Sequence, residues 1–132
     1  MIYEVSNHPK RLNAEVFDSA VSFACGYLGI EEEFTIEFDT LDKHQCGYCD
    51  YDDEEIVVTI ARRLSQAEII RTLFHELVHV KQYIDGRLEN CVPQRWMGIE
   101  MDEEYEQRPW EIEAFALEEK MMDQFYGRHK SS

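Results

Sequence analysis

The run His75-Glu76-Leu77-Val78-His79 places two histidines four residues apart with a glutamate between them. On an α-helix this spacing projects both imidazoles from one face, within reach of a single metal ion. The intervening carboxylate then faces a water molecule that the ion has activated, and can take its proton. The chemistry implied is hydrolysis, with His75 and His79 as ligands of Zn2+ and Glu76 as general base. The alternative is a pair of histidines that are merely solvated or satisfied in a core.

Helical phase separates these readings in part. With His75 at 0° and ~100° per residue, Ile69, Ile70, Leu73, Phe74, Leu77, Val78, Val80 and Ile84 span roughly 120° to 300°. His75 and His79 lie opposite, with Glu68, Thr72, Gln82 and Tyr83. Core histidines would share the apolar arc, and these do not.

A catalytic zinc takes a third protein ligand and keeps a fourth position open. Glu111, Glu113, Glu118 and Glu119 offer carboxylates near the C-terminus. With Glu111 at 0°, Ala114, Phe115, Met121, Met122 and Phe125 fall within roughly 80° of it, so Glu111 is expected in a buried face. A carboxylate there is costly unless paired or bound to metal, which selects Glu111 as the third ligand. Its bland alternative is a glutamate favoured by the start of a helix. Glu113 falls near ~200°, on the polar face with Lys120 and Gln124. Glu118 points inward but lies ~10 Å further along the axis, too far to share the ion. It is expected either to orient a histidine or to form a buried salt bridge, for instance with Arg71.

These residues need elements to position them. Asn13 to Leu28 repeats apolar residues at helical spacing, with Gly29 as its stop. Phe34 to Phe38 alternates like a half-buried strand, and Ile56 to Ile60 is a β-prone run. Asp39 to Glu55, between them, is polar and reads as a loop or irregular hairpin connection. Ser65-Gln66-Ala67-Glu68 is a capping box that opens the histidine helix, which runs to about Asp85 before Gly86. Arg87 to Tyr105 is irregular or holds a short hairpin around Arg95 to Met101. The last helix is expected from Pro109 to Tyr126, closed by Gly127.

The stretch from Thr72 to Tyr83, containing Phe74-His75-Glu76-Leu77-Val78-His79, resembles the active-site helix of gluzincin metallopeptidases. Arg108-Pro109-Trp110-Glu111-Ile112-Glu113-Ala114 resembles the glutamate helix of the minimal members, the minigluzincins, with similar short sequences in bacteria and phages. The resemblance covers roughly residues 56 to 126. It implies an α+β, zincin-like fold: an N-terminal helix, a small twisted sheet, the HExxH helix and a C-terminal glutamate helix. It assigns His75, His79 and Glu111 as zinc ligands and Glu76 as base. It also implies that the strand Ile56 to Ile60 is an edge that pairs with extended substrate, against the alternative of an ordinary core strand. One position departs from the pattern: many gluzincins carry an acid four residues after the ligand glutamate, where this chain has Phe115. Another group must then hold the first histidine, Glu118 or a backbone carbonyl. For the oxyanion, Tyr105 is the first candidate donor and Tyr83 the second. Arg95 and Trp96 are candidates to line the cleft.

The chain has 132 residues, 44% of them hydrophobic, which suits one domain spanning 1–132. Its formal charge of -15 would repel phosphate backbones, which argues against nucleic acid; the acid either only keeps the protein soluble or attracts a peptide or protein partner of basic character. No run approaches the ~20 apolar residues of a membrane span. Met1 to Lys10 lacks a basic region followed by an apolar run, so a cytoplasmic setting is expected, with reduced cysteines. Cys46-Gly-Tyr-Cys49 is a lone C-x-x-C, read as an ordinary turn over a second metal site or a redox pair. The leading function is a zinc metallopeptidase, an endopeptidase in preference to an exopeptidase. A catalytically silent zinc-stabilised structural or adaptor protein, a role open to a phage-encoded product, is the alternative. A regulatory module gripping a basic partner is third. Glu76 favours the first, since a purely structural site has no use for a base.

Overall fold

The computed structural model describes residues 3–52, 54–89, 95–100 and 108–130, with backbone alone at 3 and 128–130. The elements run β1 (Tyr3–Ser6), α1 (Ala14–Leu28), β2 (Phe34–Asp39), β3 (Gly47–Tyr51), β4 (Ile56–Ala61), α2 (Gln66–Ile84), β5 (Leu88–Glu89), β6 (Arg95–Trp96), β7 (Ile99–Glu100) and α3 (Pro109–Lys130). The fold is α+β, and the described residues form three helices, a mixed four-stranded sheet and a small antiparallel sheet.

Local signals set the helix starts. The Asn13 side chain accepts the backbone N–H groups of Glu15 and Val16, and Gly29 closes α1 in the left-handed conformation at φ 73°. Ser65 and Glu68 exchange both bonds of the capping box that begins α2. The third helix does not stop where expected. It continues through Gly127 to Lys130, since glycine weakens a helix without preventing it.

In the main sheet the order is β1-β2-β4-β3. β1, β2 and β4 are parallel, and β3 pairs antiparallel with β4. Phe34, Ile36 and Phe38 of β2 and Val58 and Ile60 of β4 are buried, and with α1 and α2 they form the core. Phe23, Phe74 and Phe125 meet at ring distances of 5.6–5.8 Å and tie α1, α2 and α3 together.

One expectation is overturned here. The strand Ile56–Ala61 is not an edge: β4 lies between β2 and β3, buried at five of its six positions. The edge is β3, inside the polar segment expected as a loop or irregular hairpin connection, where it forms a hairpin with β4. Its pattern is weakly apolar, because Tyr48 and Asp50 face out and Cys49 is only half-buried. The strand β1 carried no sequence reading and forms the opposite edge. The expected hairpin is present as β6 and β7, joined through Met97 and Gly98 at φ 54° and 83°, the positive values that a two-residue turn requires. No helix among the described residues is long and apolar enough to cross a membrane.

Candidate metal centre

Along α2, Thr72, His75, Glu76, His79 and Tyr83 form the floor of a cleft of about 590 Å³. Residues 44–49, running into β3, form one wall, and Arg108, Trp110, Glu111, Phe115 and Glu118, on or just before α3, form the other. The apolar arc of α2 is turned into the core, so its histidine side can open only into this cleft.

His75, His79 and Glu111 converge as the sequence reading expected. One donor atom from each lies within 4.8 Å of the others, and all three residues are buried, so the group could hold a metal ion. The Nε2 atoms of His75 and His79 lie 2.9 and 3.1 Å from the same Glu111 oxygen. Burial raises the pKa of Glu111, but the two histidines outweigh it and hold the carboxyl at about 2. Burial lowers that of His75, yet hydrogen bonds to Glu111 and Glu118 carry it up to about 9. Two buried nitrogens and an ionised oxygen around one point form a donor set suited to a divalent cation.

Each histidine is held from behind. Nδ1 of His75 lies 2.7 Å from Glu118, whose other oxygen accepts from Arg71 at 2.8 Å. Arg71 also pairs with Glu119. Glu118 therefore both orients a histidine and forms the salt bridge with Arg71, whose side chain is partly exposed, roles that were posed as alternatives. Nδ1 of His79 lies 2.8 Å from the side-chain oxygen of Gln82. Gln82 was read only as part of the polar arc, although its position three residues after His79 puts it on the same helix face.

Glu76 is buried at 7% exposure and lines the cleft. Burial raises its pKa despite the opposing pull of His79 and His75. Other expectations are corrected. Phe115 is not in the core: it is 48% exposed, its ring 4.6 Å from that of His75, because its side of α3 opens onto the cleft. Glu113, expected on the polar face with Lys120 and Gln124, is partly exposed and bonds Arg87 and Gln82. Arg95 and Trp96 do not line the cleft. Arg95 lies near Glu89 and Glu100, and Trp96 sits beneath Arg87. Leu88, Arg108 and Trp110 take the lining places instead. Tyr83 lines the cleft, stacked on Tyr51 at 5.3 Å, whereas Tyr105 lies outside the described residues.

The C-x-x-C pair borders the cleft without joining the ligand group. Cys46 and Cys49 are free thiols. Side chains alternate along a strand, which sends Cys46 outward and Cys49 toward α2. Burial, then the neighbouring Glu76, Asp50 and Glu111 carboxylates, push the Cys49 thiol up, away from the thiolate that metals bind. Replacing both by serine is expected to leave metal stoichiometry unchanged. A loss of one ion per chain by atomic absorption would reveal a second site.

At Gly47, β3 passes close to both β4 and the helix. A Cβ there would lie 2.6 Å from the Thr59 carbonyl oxygen and 2.7 Å from the Thr72 methyl group. Gly47→Ala is therefore expected to push β3 off α2 and to destabilise the fold by about 1–3 kcal/mol, the usual cost of overpacking. Urea unfolding checks this, and an unchanged midpoint would show that the strand shifts freely. Comparisons with protein-family models, characterised proteins and solved structures find no match for this chain.

Proposed function

We propose that this protein is a zinc-dependent peptidase of the gluzincin type, acting on extended polypeptide. The observation that carries the reading is Glu76, a buried carboxylate on the floor of an open cleft beside three convergent metal donors. His75, His79 and Glu111 would hold the ion. When bound, zinc supplies Lewis acidity, acidifying water and polarising the scissile carbonyl. Glu76 accepts the proton released and returns it to the leaving amine, a task that its raised pKa suits. Glu118 and Gln82 keep the two imidazoles aimed. Tyr83 and Arg108 line the cleft and carry donors suited to the developing oxyanion.

The backbone of β3 supports a polypeptide substrate. Ala61 donates to Cys46 and Asp52 to Glu55, at the two ends of the β3–β4 ladder. Bonding alternates along an antiparallel pair, so Tyr48 and Asp50 bond β4 while the N–H and C=O groups of Gly47 and Cys49 point to the other edge. An extended segment can add there as a strand, its backbone bonded to β3 and its side chains alternating between the cleft and solvent. The net charge of -15 favours a basic substrate.

The test is to load the protein with zinc, incubate it with an unfolded protein and a mixed peptide library, and read cleavage by mass spectrometry. Cleavage that a chelator abolishes and zinc restores is the expected result. Absence of cleavage from fully zinc-loaded protein would leave the ion a structural role.

A further inference from the structure

We propose that Gln82 is a positioning residue for the metal site, and that it sets metal affinity through His79 from an anchor lying outside the cleft. This rests on the metal-site reading above. Gln82 is fully buried, yet it has no apolar role. Its Nε2 lies 3.0 Å from the Trp110 carbonyl oxygen and 3.0 Å from a Glu113 carboxylate oxygen. Both neighbours are acceptors only, so the amide must turn its two N–H groups toward them. Its oxygen is then forced toward His79, 2.8 Å from Nδ1. An oxygen there can only accept, so Nδ1 of His79 carries a hydrogen, and Nε2, which donates to Glu111 at 3.1 Å without metal, is the nitrogen whose lone pair would be offered to an ion that displaces that hydrogen.

The orientation is itself secured from a distance. Glu113 is gripped by Arg87 through contacts of 2.9 and 2.7 Å. Arg87 lies over the Trp96 ring at 5.2 Å, and its carbonyl accepts from Met97 at 2.7 Å. A chain of contacts thus runs from the β6–β7 hairpin through Arg87, Glu113 and Gln82 to His79. The two histidines are held differently: His75 by a carboxylate, His79 by a neutral amide whose direction two acceptors on α3 dictate. Gln82 therefore also couples the placement of α3, which carries Glu111, to the aim of a histidine on α2.

The test compares wild type with Gln82→Met, which keeps length and helix propensity but loses the amide. Zinc affinity is measured by competition with a chromophoric chelator. The variant should bind zinc roughly 10–100-fold more weakly, the usual cost of losing a group that orients a ligand. In zinc-loaded wild type, 15N-resolved NMR should show a slowly exchanging His79 Nδ1 hydrogen, which the variant should lose. Equal affinities, or a His79 Nδ1 hydrogen that exchanges equally fast in both proteins, would overturn the proposal. The wild-type spectrum decides even if the variant fails to fold: no protected Nδ1 hydrogen on His79 means no such role for Gln82. If wild type binds no zinc at all, the metal-site reading fails first.

Discussion

Glu76→Gln is expected to retain one zinc per chain and to lose peptide hydrolysis by ~10²–10⁴-fold, the usual worth of a general base. Glutamine matches the shape of glutamate, so the packing of α2 beneath the sheet is preserved. The convergent donors belong to His75, His79 and Glu111 and are untouched. What disappears is a buried carboxylate that can accept a proton, and an amide cannot replace it. The stability of the variant should match or slightly exceed that of wild type, because a desolvated acid is removed from a site where burial disfavours its charge. The measurement pairs metal content with the rate of cleavage in the peptide library. Wild-type rates in a zinc-loaded Glu76→Gln protein would remove Glu76 from the mechanism.

Removing Glu111 should act on the metal and the fold together. Glu111→Ala is expected to abolish stoichiometric zinc binding and to lower the melting temperature of the zinc-treated protein, because binding energy is available only to the folded state. The metal-free fold should weaken too, since two buried imidazoles lose the oxygen they share. Glu113→Ala is the control for stoichiometry. That side chain lies behind Gln82 and Arg87, outside the convergent donors, so its loss should weaken affinity through Gln82 but leave one zinc per chain at saturation. Zinc retained by Glu111→Ala but lost from Glu113→Ala would reverse the assignment. The same site has a defined pH dependence. In the metal-free protein His75 is held protonated up to about pH 9, and the ion must displace that proton. Glu111, at about 2, stays ionised throughout. Zinc affinity should therefore rise with pH toward about 9, by ~10-fold per unit for each proton released. Titration calorimetry in buffers of different ionisation enthalpy counts those protons.

Sequence alone determined what depends on neighbours a few residues away. The ends of α1 and the start of α2 were legible because Asn13, Gly29, Ser65 and Glu68 act within one helical turn. The shared face of His75 and His79, and the inward aim of Glu111 and Glu118, followed from helical phase, which is also local. Tertiary structure decided the rest. Which strand takes the edge depends on how three other strands pair, so the apolar run at Ile56–Ala61 went to the interior and the poorly patterned Gly47–Tyr51 became the cleft wall. Phe115 lay on a helix face that phase marked as buried, and only the opening between α3 and β3 left its ring exposed over His75. Glu118 meets His75 across 43 residues, and Gln82 meets Trp110 and Glu113 across 28 and 31. The three-residue spacing from His79 puts Gln82 within reach of that ring, but nothing near it in the chain fixes which way its amide points. A polar side chain on a helix face reads as solvated until another helix is laid over it, and the packing of α3 on α2 is what buries this one and dictates where its amide points.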